Sequence, residues 1–159
     1  MGLSKARIKG EIAEVLKTGK WMLRRSNNGK SYGGFQWAGL GCWTEAPDWN
    51  PEPECGGGLH GCGPASSGFW TSGCSIDFCK IDGEVVEIDG TKLKCHRAMI
   101  LLRDTLPDNL TVGGGLDLFG TGITELPDNL TVGDWLNLGG TGITELPDNA
   151  IINGDIYWQ

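Results

Sequence analysis

Residues 106–125 read LPDNLTVGGGLDLFGTGITE, residues 126–145 read LPDNLTVGDWLNLGGTGITE, and 146–159 carry a partial third copy, LPDNAIINGDIYWQ. The two full copies agree at sixteen of twenty positions. A fixed 20-residue period makes each copy a small unit that must bury its apolar side against the next. The apolar positions recur as Leu106, Leu110, Val112, Leu116, Leu118 and Ile123, then Leu126, Leu130, Val132, Leu136, Leu138 and Ile143. Each Leu-x-Leu pair has the two-residue period of a strand and is flanked by turn residues.

The four differing positions are 114/134, 115/135, 117/137 and 119/139. Three of them alternate with the Leu-x-Leu residues, so they are expected on the outward side of the strand. One strand then presents Gly115, Asp117 and Phe119, the next Trp135, Asn137 and Gly139, and the third Asp155, Tyr157 and Gln159. Acids and aromatics on an exposed sheet face suit a contact surface, and the expected contact residues are Asp117, Phe119, Asp134, Trp135, Asn137 and Tyr157. Neutral variation at solvent positions is the alternative. Ile156 and Trp158 fall on inward positions, which predicts that Trp158 plugs the end. A free edge at 155–159 would favour a homo-oligomer.

The pattern LxLxxTxITxLP resembles a leucine-rich repeat of the short bacterial type, with Thr121 and Thr141 where that family has asparagine. The resemblance implies one short parallel strand per repeat, stacked into a right-handed coil over an inward leucine ladder. A coil this short cannot bury its own ends, so the preceding segment is expected to cap it.

Residues 4–18 place Ile8, Ile12, Val15 and Leu16 on one helical face, with Gly19 as the stop. From Trp21 onward short strands and loops are expected: WMLRR, GGFQWA, CWTEA, SIDFCKI and EVVEI-DG-TKLKC, with the irregular proline-rich PDWNPEPE between them. Asp89-Gly90 suits a type I′ hairpin turn, and 97–105 leads into the first repeat as its cap. The expected fold class is α+β: a strand-rich capping domain over 1–100 and a leucine-rich-repeat-like parallel β-solenoid over 101–159.

Composition sharpens the functional reading. The 27 glycines exceed the ordinary share and point to many turns. Residues 1–30 hold eight of thirteen basic residues against Glu11 and Glu14, while 106–159 hold eight acids and no Lys or Arg. A basic head and an acidic tail favour a partner with a basic surface and disfavour binding of the tail to nucleic acid. No window of 18 apolar residues exists and the N-terminus lacks the apolar core of a signal peptide, so a cytoplasmic protein without membrane contact is expected. Six cysteines there are expected as thiols or metal ligands.

The stretch ECGGGLHGCG, 54–63, concentrates the chemistry. Gly56 to Gly61 formally fits a dinucleotide loop but has neither the strand before nor the helix after it. NGKS at 28–31 resembles the end of a phosphate loop, but Arg24 stands where its first glycine belongs. Cys55, His60 and Cys62 are candidate zinc ligands, although no C-x-x-C occurs. A Cys-His nucleophile pair is a further reading, and a tight structural turn with buried thiols is the simplest.

From KSYGGFQW through EAPDWNPEPECGGGLHG to DGTKLKC the chain is similar to a domain of uncharacterised bacteriophage and prophage proteins that often carries short repeats behind it. That resemblance implies a phage origin and action in the host bacterial cytoplasm. The function expected is a non-enzymatic binding module that inhibits a host protein, of anti-CRISPR or other anti-defence type. The alternative is a small metal-binding protein, or an enzyme or small-molecule binder, centred on Cys55, His60 and Cys62.

Overall fold

The computed structural model describes residues 2–31, 34–65, 73–88 and 92–159. One helix, α1 (Lys5–Thr18), precedes the strands. The Ser4 hydroxyl accepts the Arg7 amide at its start, and Gly19 ends it with a φ of 77° and an N–H donated to Val15. Val15 is buried, and Ile8, Ile12 and Leu16 pack beside it against the main core. The opposite face leaves Gly10 in open space.

The strands β1 (Trp21–Ser26), β2 (Trp43–Glu45), β3 (Leu59–Gly61), β4 (Ser75–Ile88) and β5 (Lys92–Arg103) form an antiparallel sheet in the order β1-β4-β5-β2, with β3 also paired to β5. SIDFCKI and EVVEI are one long strand. The register slips between Asp82 and Val85, where Gly83 takes a φ of 76°, so the glycine absorbs a bulge that would otherwise end the strand. The β4–β5 pairing runs out to Ile88 and Lys92; the expected turn at Asp89-Gly90 lies outside the described residues. A tight hairpin does occur at Asn27–Lys30, with Asn28 and Gly29 at φ of 53° and 92°, the sign pattern of a type I′ turn. This is the local role of the NGKS stretch. Among its described residues, GGFQWA forms no strand beyond a bridge between Lys30 and Gln36. β5 runs unbroken through the expected boundary at 100.

Each 20-residue unit contributes two strands, not the one expected. These are β6 (Thr111–Val112) and β7 (Leu116–Asp117), β8 (Thr131–Val132) and β9 (Leu136–Asn137), and β10 (Ile151–Ile152) and β11 (Ile156–Tyr157). They pair in parallel as β6-β8-β10 and β7-β9-β11, every residue opposite the one twenty positions on. Leu110, Leu116, Leu118, Leu130, Leu136 and Leu138 are at most 1% exposed. Thr121 and Thr141 each turn the hydroxyl back to the carbonyl three residues earlier, Leu118 at 2.8 Å and Leu138 at 2.7 Å. A threonine thereby satisfies its own turn. Ile156 is half-buried, but Trp158 is 44% exposed and does not plug the end.

The varying outward positions are coupled in pairs. A Cβ added to Gly115 would lie 2.2 Å from the Trp135 indole, and one added to Gly139 would lie 2.8 Å from the Phe119 ring. Each aromatic therefore covers the glycine of the neighbouring unit, and bulk and absence of bulk exchange places between copies.

Two substitutions test this packing. Gly10→Ala should stabilise the protein by about 0.5–1 kcal/mol, since the position is helical and open. Gly115→Val should destabilise it by about 1–3 kcal/mol by displacing Trp135, and the loss should shrink in a Trp135→Ala background. Denaturant midpoints of the four variants decide both.

Candidate functional site

Two regions hold the sequence-predicted residues. The first is the outward face of β7-β9-β11. Asp117 is half-buried, accepts the Phe119 amide at 3.0 Å and lies 3.6 Å from the Arg25 guanidinium. Arg25 comes from β1 and also donates to the Gly73 and Phe119 carbonyls, so Asp117 is committed to an internal contact. Asn137 occupies the same place one unit on and accepts the Gly139 amide at 3.0 Å. Trp135 is half-buried over Gly115, whereas Phe119 and Tyr157 are each 49% exposed. Asp134 is exposed, and its carbonyl accepts the Gly154 amide. Strand pairing thus places Asp117, Asn137 and Tyr157 at one register position across β7-β9-β11, with Phe119 and Trp135 flanking them and Asp134 before β9. The structure leaves Phe119, Asp134 and Tyr157 open, and it ties Asp117, Trp135 and Asn137 into the fold.

Acids dominate around this face. Asp108, Glu125, Asp128, Asp134, Glu145, Asp148 and Asp155 are all exposed. Among the described residues none of the seven makes an ion pair.

The second region is the glycine loop. Its centre is Lys94, fully buried, a residue that sequence reasoning did not select. The Lys94 ammonium donates to the carbonyls of Glu54 at 3.1 Å and Gly56 at 3.0 Å and lies 5.9 Å from the Trp49 ring. Gly56 and Gly57 adopt φ of 89° and 64°. A side chain on Gly57 would meet Asn50 at 2.6 Å, so the glycines let the loop wrap the lysine. Sequence offers one weak signal for this: a lysine amid alternating apolar residues in KLKC.

Cys55, His60 and Cys62 do not converge as ligands. Cys55 is exposed and its sulfur accepts from Lys92 Nζ at 2.8 Å. His60 accepts the Gly56 amide on Nε2 at 3.3 Å. Burial lowers the His60 pKa, and the Lys92 and Lys94 charges lower it further against the opposing pull of Asp48. Cys62 is buried, pairs its backbone with Leu23, and burial pushes its thiol up to about 12. Cys95 is likewise pushed up to about 12, and Cys79 well above its ordinary value. Among the described residues no group of three or more His, Cys, Asp or Glu could hold a metal ion.

A groove of about 380 Å³ lies between the end of α1 and the first repeat, lined by Leu16, Trp21, Pro64, Asn109 and Thr111 among others. It contains none of the predicted site residues. No helix is long and apolar enough to cross a membrane. Comparison with protein-family models, with curated proteins and with solved structures finds no match to this chain.

The His60 environment fixes a pH dependence. Its folded value lies below the unfolded one of about 6.5. The unfolded chain therefore takes up the proton first as pH falls. Stability is full above about 6.5, is lost as pH drops toward the folded value, and levels off below it. His60→Gln should remove this segment of the pH profile. An NMR titration placing the His60 ring at or above 6.5 would contradict the assignment.

Proposed function

We propose that the chain is a non-enzymatic protein-binding module whose repeats form a short leucine-rich-repeat-like solenoid, and that it engages a partner carrying a basic surface through the outward face of β7-β9-β11. The observation that carries this reading is the exposure of Phe119 and Tyr157 in repeats that also expose seven carboxylates, none of which makes an ion pair among the described residues. Exposed aromatics supply contact area at low entropic cost, and unpaired acids supply steering and register. Arg25 consumes Asp117, so the recognition charge falls to Asp134, Asp155 and the columns of Asp and Glu at the turns.

The resemblance read in the sequence over residues 30–95 to phage and prophage domains, which the comparisons with known proteins do not match, is our ground for seeking the partner among bacterial host proteins. Inhibition of a CRISPR or other defence complex is the role we assign, since many such complexes present basic nucleic-acid channels that an acidic face can occupy. Catalysis at the glycine loop draws no support from the geometry: His60 is engaged with backbone, and the nearest charges are cationic.

Immobilised protein, incubated with lysate of a candidate host bacterium, provides the test. The expected result is a basic protein retained by the wild type and released by raised salt. Binding should weaken at least tenfold for Asp134→Lys combined with Tyr157→Ala, about 1.4 kcal/mol or more, and stay unchanged for Lys9→Glu with Lys17→Glu on α1. Equal retention by the face variant, with its folding verified by circular dichroism, overturns the reading.

A further inference from the structure

We propose that Cys55 and Lys92 are a modification site: under oxidising conditions a single oxygen atom joins them as a reversible Nζ–O–Sγ bridge. The carrying observation is the separation of 2.8 Å between Lys92 Nζ and Cys55 Sγ. That is closer than unbridged nitrogen and sulfur comfortably approach and longer than a direct bond between them. It is the spacing that one bent oxygen between the two atoms would span.

Both partners are held in place before any reaction. The carbonyls on either side of Cys55, those of Glu54 and Gly56, receive the buried Lys94 ammonium. The Gly56 amide is anchored on His60, and the Gly57 carbonyl accepts the Asn50 amide at 2.8 Å. Lys92 is fixed at the start of β5 by pairing with Ile88. Little conformational freedom remains to be lost on bridging. Access is open as well, since Cys55 is exposed and Lys92 only half-buried. Selectivity follows from the rest of the molecule. Cys62, Cys79 and Cys95 are buried, and buried thiols are inert. Cys42 and Cys74 have no lysine nitrogen at the sulfur among the described residues.

The chemistry balances with dioxygen as the oxidant. The Lys92 ammonium first gives a proton to solvent. The Cys55 S–H and one N–H of the neutral amine then break, and S–O and O–N bonds form. One oxygen atom of dioxygen becomes the bridge and the other leaves as water. Sulfur and nitrogen each give up two electrons, and dioxygen takes four. A thiol reductant opens the link by attack at the sulfenyl sulfur: the S–O bond breaks, the oxygen leaves on nitrogen as the Lys92 hydroxylamine, and a second thiol resolves the mixed disulfide to the Cys55 thiol, while two further thiols reduce the hydroxylamine to the amine and water as they form a disulfide. The bridge closes the glycine loop covalently onto β5 and fixes the cover over Lys94, so loop stability becomes dependent on redox state.

Purified protein is reduced, divided, and held either in air-saturated buffer or without oxygen. Each portion is then digested with trypsin without added reductant and analysed by mass spectrometry. The expected product of the aerated portion alone is a pair of peptides joined through Cys55 and Lys92, heavier than their sum by one oxygen and lighter by two hydrogens. It should be resolved by reductant and absent from Cys55→Ser and Lys92→Arg. Thermal unfolding of the aerated wild type should move up relative to the reduced protein, and that difference should vanish in both variants. Recovery of Cys55 and Lys92 in separate peptides after aeration, whatever the state of the sulfur, overturns the proposal. So does a link that lacks the oxygen.

Discussion

Everything in the repeat region depends on one apolar joint. Strands of two residues have too few hydrogen bonds to persist alone, and each unit is stable only while both faces of its leucine layer are covered. The first layer is covered by the antiparallel sheet: Leu110, Leu116, Leu118 and Ile123 lie in one core with Ile76, Phe78 and Leu101. Because that core continues into Leu130, Leu136 and Leu138, the sheet and the repeats share one interior. Backbone groups exposed at the joint are matched as well. The Gly113 amide donates to the Pro64 carbonyl and the Gly122 amide to that of Cys74. Arg25 reaches from β1 to Gly73 and Phe119, so the joint is fastened at its polar rim as well as its apolar centre.

A second constraint sits just behind it. Asp77 is fully buried on β4, and burying an unpaired carboxylate would cost several kcal/mol. Its two oxygens accept Arg103 Nε at 2.9 Å and the Ser26 hydroxyl at 2.9 Å, with Arg24 at 3.8 Å. Arg24 itself is a buried cation whose pKa burial lowers against the opposing pull of groups that include Asp77, and its guanidinium lies 3.7 Å from the Trp37 ring centroid. The Ser26 hydroxyl also accepts the Gly29 amide, and a side chain on Gly29 would meet Arg103 at 2.7 Å. The Asn-Gly hairpin is therefore fitted to this network, and its glycine serves the turn and the close approach of the guanidinium together.

Much of this was legible in sequence because period and composition determine it directly. The 20-residue period gives the parallel register, the i, i+4 apolar stripe gives α1, and Gly19 gives its end. The Gly/aromatic exchanges at 115/135 and 119/139 carried the signal that those aromatics cover neighbouring glycines. Reading each position by itself, as inward or outward, concealed it. Arg24 and Arg25 were not legible. Adjacent basic residues count as surface charge unless a distant carboxylate is known to meet them, and Asp77 and Asp117 are joined to them only by tertiary structure. The same holds for Cys55 and Lys92, separated by 37 positions. The three residues grouped by sequence proximity, Cys55, His60 and Cys62, diverge because pairing sets His60 against Lys94 and Cys62 against Leu23, while Cys55 stays in the loop with its sulfur on Lys92.

The acidic columns bear on why the repeat face looks as it does. Stacking places Asp108 beside Asp128 and Asp128 beside Asp148 at the strand spacing of about 4.8 Å. The Asp108 carboxylate accepts the Asp128 amide at 3.0 Å, and Asn109 and Asn129 are linked through their side-chain amides at 3.0 Å. Asn109 and Asn129 adopt φ of 67° and 58°, so these asparagines serve the turn, and the Asp108 carboxylate serves the backbone of the next corner. Glu125, Glu145, Asp134 and Asp155 have no such backbone role. Two like charges at this spacing repel by about 1 kcal/mol in water before screening, and salt at physiological strength reduces that further. Asp108 thus repays its repulsion within the fold, whereas the other exposed carboxylates of the repeats add repulsion without an ion-pair partner among the described residues. A basic partner would turn that repulsion into attraction across the interface, and the residues it would have to meet are the ones the fold does not use.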